Sequence, residues 1–232
     1  MHLDLESRVL LSLIAKSSFD KNVEFLQNDE KVEDVNWEKV YTESVHQTVV
    51  LFASDAISPY RNYIPEEILG KWIAYSGKIF STNMFVTNYQ NELVNFLDNN
   101  DYKYIILKGL SSSSYYEKPD LRMLGDVDFL IENDRKEEIA YKIQNVLKYN
   151  LYTDLDHICH ITMTRGKAAI EMHFEIPGIP HGENGEYVRQ YIKNILDDTQ
   201  NIDMPDCKFT APSHLYHGVI ILLHMLHHMS SE

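Results

Sequence analysis

The sequence predicts an α+β protein, an N-terminal helical bundle followed by a mixed β-sheet core flanked by helices. Apolar residues recur at three- and four-residue steps across residues 3–98, where Gly is scarce. The character changes at Asn99-Asn100-Asp101, a polar turn, and short apolar or alternating segments bounded by Gly and Pro follow. Together these place a helical region at 1–100, a mixed core at 101–185 and a C-terminal helical region at 186–232.

In the helical region, one helix is expected after Asn36, running through Trp37, Val40, Val45, Val49 and Phe52 and ending before Pro59. A second starts at Pro65, a good first-turn residue, and carries Leu69, Trp72, Ile73, Phe80, Met84 and Leu93 to Leu97, with a break expected near Gly77. In the core, Tyr104-Ile105-Ile106-Leu107 is a buried-strand candidate. Lys108-Gly109-Leu110, the Ser111 to Ser114 run and a loop through Pro119 lead to a second strand, Asp126 to Ile131. A helix from about Asp134 to Lys148 buries Ile139, Ile143 and Leu147 on one face. Ile158 to Thr164 and Ala168 to Ile176 then flank Arg165-Gly166-Lys167, whose central Gly suits a tight antiparallel hairpin. Helices near Glu186 to Leu196 and from Pro212 to Met229 complete the chain.

Composition narrows the function classes. With 232 residues, 44% hydrophobic and 24% charged, the chain is of ordinary globular character, and no stretch approaches the roughly 18 apolar residues of a membrane span. Asp4 and Glu6 near the start, with no apolar run after a basic segment, argue against a secretion signal. Cys159 and Cys207 cannot build a disulfide framework, so a cytoplasmic protein with reduced thiols is expected. The net charge of -14 is spread evenly, with 8 basic against 15 acidic residues in 1–100 and 13 against 20 in the remainder. Long nucleic acids are held by Lys and Arg on phosphates, so this balance argues against a polynucleotide substrate and leaves a nucleotide allowed.

The sharpest chemical signal is Arg122-Met123-Leu124-Gly125-Asp126-Val127-Asp128-Phe129-Leu130-Ile131. Strand side chains alternate, so Asp126 and Asp128 share one face about 6 to 7 Å apart at their backbones, while Val127, Phe129 and Ile131 face the core. That spacing suits one shared divalent ion or a pair of ions bridged by a carboxylate. Ile170-Glu171-Met172-His173-Phe174-Glu175-Ile176 also alternates, with Glu171, His173 and Glu175 on one face and Ile170, Met172, Phe174 and Ile176 on the other. If this strand lies beside the Asp strand, Glu171 completes a three-carboxylate site of hard oxygen ligands, which favours Mg²⁺ or Mn²⁺ over zinc. The plainer alternative is a pair of solvated edge-strand faces, although Asp is disfavoured in strands.

These segments resemble the uncharacterised nucleotidyltransferases of the polymerase-beta-like superfamily. The resemblance spans roughly Trp37 to His228 and rests on Ile106-Leu107-Lys108-Gly109, on the Arg-x-x-Gly-Asp-x-Asp pattern from Arg122, and on Ile170-Glu171-Met172-His173. It implies a nucleotidyltransferase core and a reaction in which an acceptor hydroxyl attacks the α-phosphate of a nucleoside triphosphate. Asp126, Asp128 and Glu171 would be the catalytic, metal-holding carboxylates, with Glu171 also drawing the acceptor proton. Lys108, Gly109, Ser111, Ser112 and Arg122 would bind the nucleotide. Leu110 stands where the family pattern carries Gly or Ser, with Ser111 one place late.

Each supporting residue also has a plainer role. Lys108 as a strand cap, Arg122 as a partner of an Asp, and the serines as helix openers all remain open. His173 and Glu175 are expected in a supporting or surface position. Five of the eleven histidines lie in the last helix, and His214, His217, His224 and His228 fall on one helical face opposite Leu215, Val219, Leu222, Leu223 and Leu226. A solvated polar face is the expected reading, with zinc ligation or a wall of the nucleotide cleft as the alternative. The chain stops directly after this helix, in mid-architecture for the family, so a truncated carboxyl-terminal region is expected. Three functions follow in order: a Mg²⁺-dependent nucleotidyltransferase acting on a small-molecule or protein hydroxyl, a catalytically silent nucleotide- or partner-binding relative, and a histidine-metal hydrolase.

Overall fold

The computed structural model describes residues 3–152 and 159–230. Ile158, the expected start of the first hairpin strand, lies outside them. The chain divides into two compact units, residues 1–84 with 115–123 and residues 85–114 with 124–232.

The first unit is helical. Helix α1 (Leu5–Phe19) opens where the Asp4 side chain accepts a hydrogen bond from the Ser7 amide at 2.9 Å. Helix α2 (Trp37–His46) opens in the same way on Asn36, and helix α3 (Val50–Ala56) follows it. Val9, Leu13, Trp37, Val40, Leu51 and Trp72 belong to its core. The single helix expected from Trp37 to Phe52 is therefore two. Thr48 turns left-handed at φ 57°, its amide bonds the Val45 carbonyl at 3.1 Å, and the Val49 amide bonds that of Ser44 at 2.9 Å. Those two bonds make a Schellman stop with Thr in the place Gly usually takes, which is why residue type gave no warning of it.

Helix α4 (Glu66–Asn99) runs through both units without the expected break at Gly77. Glycine costs helix stability but does not terminate a helix whose neighbouring turns are packed. Ile73, Phe80 and Met84, expected on its apolar run, are exposed, whereas Trp72, Leu93 and Leu97 are buried.

The second unit is built on a five-stranded mixed sheet of β1 (Tyr104–Ile106), β2 (Val127–Ile131), β3 (Asn150–Leu151), β4 (His160–Arg165) and β5 (Ala168–His173), in the order β1-β2-β5-β4-β3. Only β2 and β5 pair in parallel; the other neighbours are antiparallel. The hairpin of β4 and β5 turns at Gly166, with φ 59°, as the sequence predicts. The short helix α5 (Leu110–Ser113) follows β1, and α6 (Lys136–Val146) follows β2, burying Ile139, Ile143 and Leu147 as expected. Helices α7 (Glu183–Ile192) and α8 (His214–Ser230) match the last two predicted helices within a few residues.

Both faces of the sheet are covered. Val127, Phe129 and Ile131 of β2 pack with Leu93 of α4 and Ile143 of α6. Ile105 and Leu130 on the opposite face pack with Ile192 of α7 and Ile220 and Leu223 of α8. Ile176, expected on the face of Ile170 and Met172, belongs to this second cluster because β5 ends at His173 and strict alternation ends with it. Besides the two-residue strand β3, the sequence reading missed the hairpin of β6 (Thr199–Met204) and β7 (Cys207–Pro212). Its buried Cys207, Phe209 and Ala211 join the first cluster, a period-two signal too short and too close to Pro205 and Pro212 to stand out.

The loop after β5 depends on Gly178. Its φ is 85°, and a Cβ there would lie 2.0 Å from the Leu223 carbonyl oxygen of α8. Gly178→Ala is expected to destabilise the protein by about 2 kcal/mol or more, through both backbone strain and collision. Gly77→Ala, whose Cβ meets nothing within 4 Å, is expected to stabilise it by about 0.5 to 1 kcal/mol. Thermal denaturation of both variants checks the pair.

Candidate metal and nucleotide site

The parallel pairing of β2 with β5 sets the site. Its register places Asp128 opposite Glu171 and Leu130 opposite His173, so residues on one face of two adjacent strands converge. The Leu107 amide bonds the Asp128 carbonyl at 2.9 Å, extending the pairing of β1 one residue and bringing Lys108 alongside. Lys108 Nζ then lies 2.9 Å from Asp128 Oδ1. His173 Nε2 lies 3.0 Å from the same oxygen and 3.4 Å from Glu171 Oε2.

Asp128 is only 3% exposed and His173 2%. Burial pushes the Asp128 carboxyl up, but the His173 hydrogen bond and the Lys108 charge outweigh it, and the net shift is downward. Burial likewise pushes His173 down, yet its bonds to Asp128 and Glu171 prevail and its pKa is raised. Asp126, just before β2, is exposed as a residue although its carboxyl lies partly against protein. That desolvation, followed by the charges of Asp128 and Glu171, raises its pKa, with Lys108 partly offsetting them. Mutual repulsion of this kind is what a bound cation relieves.

The donor set fits a divalent ion. Asp128, Glu171 and His173 each offer one ligand atom, all within 4.8 Å of one another, and two carboxylates suit a hard cation. The structure thus brings Asp128 and Glu171 together as expected, while Asp126 is outside this closest group. His173, expected in a supporting or surface position, takes the supporting one, buried and hydrogen-bonded to Asp128. Its place two residues after Glu171 on the same strand face is legible in the sequence, and the parallel register of β2 and β5 turns that face toward Asp128.

Around the carboxylates, Gly109 adopts φ 59°, and the Tyr89 hydroxyl donates to the Gly125 carbonyl at 2.7 Å, holding the loop ahead of β2. Ser111 is fully buried and Ser112 half-buried. Their hydroxyls lie 3.2 Å from Nδ1 and 3.2 Å from Nε2 of His217, respectively. Arg122 belongs to the first unit, where its carbonyl accepts from Asn83 Nδ2 at 2.8 Å.

The histidine stripe keeps its expected solvated form at His214, which is exposed, but not at His217. His217 is buried against the serines, while Leu215, Leu222 and Leu226 on the expected buried face are more than half exposed. The side chain of His228 lies outside the described residues. A buried imidazole satisfied by two hydroxyls gives the same sequence pattern as a solvated one, so helical periodicity alone cannot separate them. Among the described residues, the metal-competent cluster lies on β2 and β5 rather than on α8.

A family model described as an uncharacterised nucleotidyltransferase matches residues 33–232. The chain belongs to this nucleotidyltransferase family. No curated protein matches it. Nucleotidyl transfer handles phosphates, and phosphates are commonly bound through divalent ions.

Stability of the metal-free nucleotidyltransferase should carry the signature of the Asp128 and His173 pair. A raised His173 contributes stability that is fully present below its ordinary 6.5 and lost as pH rises through its higher folded value. A lowered Asp128 contributes above its ordinary 3.8 and is lost as pH falls through its lower folded value. Urea denaturation in a chelator across neutral to alkaline pH should therefore show a decline that His173→Gln flattens. An unchanged profile in that variant would show that the pair does not titrate as described.

Proposed function

We propose that this nucleotidyltransferase moves a nucleoside monophosphate from a nucleoside triphosphate to a hydroxyl of a small-molecule or protein acceptor, with Mg²⁺ or Mn²⁺ as cofactor. The observation that carries the reading is the in-register pairing of Asp128 with Glu171, which gathers carboxylates on one face of a buried sheet. Asp126, Asp128 and Glu171 are the proposed metal-holding and catalytic residues. A bound divalent ion supplies charge neutralisation on the phosphates.

The chain's own residues do the rest. Glu171, half-buried beside His173, accepts the proton of the attacking hydroxyl. His173 holds the Asp128 carboxylate in place. Lys108, which shares Asp128 with His173, would offer its charge to a phosphate if Asp128 held a divalent ion. Gly109 and Ser112 offer polar groups to the triphosphate, while the buried Ser111 holds the turn through His217. Arg122 is proposed as a further phosphate cation on the motif alone. A net charge of -14 supports a nucleotide rather than a long nucleic acid as the substrate. No described helix is long and apolar enough to cross a membrane. The two cysteines support action in the cytoplasm, and we place the catalytic core at 101–185.

A catalytically silent, nucleotide-binding relative is the second reading. It is favoured by Leu110, which is buried at the turn where the family pattern carries Gly or Ser.

Calorimetric titration of the four nucleoside triphosphates with Mg²⁺ tests the proposal. The wild type should bind at least one of them in a metal-dependent manner, and Asp126→Ala/Asp128→Ala should lose that binding. Because the double variant strands Lys108 and His173 without Asp128, Glu171→Gln serves as a milder companion, expected to weaken metal-dependent binding at least tenfold while melting like the wild type. Metal-independent binding, or binding that both variants retain, would overturn the assignment of these carboxylates.

A further inference from the structure

A cavity of about 440 Å³ lies within the second unit, and one of its lining residues, Leu130, stands two residues after Asp128 on β2. Its apolar walls include Leu130, Phe174, Ile176, Ile179, Ile192 and Ile195, with a polar side at Glu132, Asn133, Glu175 and Arg189. We propose that this cavity is the acceptor site of the transfer and takes a hydroxyl compound with an apolar body. The inference rests on the transferase reading above.

Strand direction carries the argument. Strand β1 runs antiparallel to β2, and Leu107 bonds Asp128, so the Lys108 to Ser112 turn leaves the sheet at the amino end of β2. The cavity is lined by Leu130 to Asn133 at the carboxyl end of β2 and by Phe174 to Ile176 just past the carboxyl end of β5. Because β2 and β5 are parallel, these two ends lie at the same edge. The phosphate-side turn and the cavity therefore flank Asp128 and Glu171 from opposite directions along the strands. Leu130 shares the sheet face of Asp128, two residues on, which is about 6 to 7 Å.

Opposed approach is what in-line displacement requires. The acceptor oxygen enters from the cavity and forms its bond to the α-phosphorus, while the bond from that phosphorus to the bridging oxygen of pyrophosphate breaks on the far side. The electron pair leaves with pyrophosphate, and the hydroxyl proton passes to Glu171.

The lining also argues against a phosphate-bearing occupant. Its cation, Arg189, is already held by Glu175 at 2.7 Å and Glu186 at 2.9 Å, and Glu132 and Glu175 add negative charge. An apolar body is what remains suited to Ile-rich walls.

The test uses the full chain with Mg²⁺, a non-hydrolysable α,β-methylene nucleoside triphosphate that it binds, and the 1-alkanols from butanol to octanol as probes. Calorimetric affinity should rise about fourfold per added methylene. With the natural triphosphate, the same series should yield alkyl nucleotidyl esters and pyrophosphate in that order of efficiency. Ile179→Trp, which fills the cavity from a half-buried loop position, should flatten both series and leave nucleotide affinity unchanged. A wild type that binds nucleotide but shows no dependence on chain length, or a series that Ile179→Trp does not alter, would overturn the cavity as the acceptor site. Loss of nucleotide affinity in Ile179→Trp would give the cavity to the nucleoside instead. Absence of any metal-dependent nucleotide binding by the wild type would overturn the transferase reading itself, and the acceptor assignment with it.

Discussion

A buried carboxylate has to be compensated, and the second unit of this protein is organised around that requirement at Asp128. Leaving a carboxylate unpaired inside a protein costs several kcal/mol, so a side chain only 3% exposed needs partners that the fold itself delivers. Lys108 arrives from the end of β1, and His173 comes from β5 beside it. Both depend on backbone pairing: β1 antiparallel on one edge of β2, and β5 parallel on the other. A one-residue slip in the β2 and β5 register would turn Glu171 and His173 to the opposite face and leave Asp128 with a single partner.

Covering both faces of the sheet gives this cluster its character. Leu130 and Ile105 share a face with Asp128 and are buried by α7 and α8, so the charged group sits at the margin of an apolar layer rather than on an open strand. Desolvation raises Asp126 first, and low local polarisability strengthens both the attraction of Asp128 for its cations and the repulsion that adds to the rise of Asp126. The same layer fixes α8 against the serine turn, where His217 meets both Ser111 and Ser112. Packing and polar positioning are thus supplied by the same helices.

Much of this was legible from residues alone. The alternation at Asp126 to Ile131 and at Ile170 to Phe174 located the two central strands, and Gly166 located the hairpin turn, because period-two patterning and glycine turns are local properties. The convergence of Asp128 with Glu171 was conditional in the sequence, since strand adjacency is a long-range fact, and the structure supplies it. What escaped notice had equally physical causes. Thr48 stops a helix in a conformation usually left to glycine, and β6 and β7 carry too few inward residues to be distinguished from a loop. His217 is buried by partners distant in sequence, so its type and spacing resembled those of a surface histidine.

The most direct measurement of the central claim is the location of a bound metal. Crystals grown with Mn²⁺ and an α,β-methylene nucleoside triphosphate, measured for anomalous scattering, should show an ion about 2.1 Å from carboxylate oxygens of Asp128 and Glu171, with the Lys108 ammonium displaced from Asp128 onto a phosphate. Manganese bound elsewhere, for example on the histidines of α8, with Lys108 still paired to Asp128, would contradict the account.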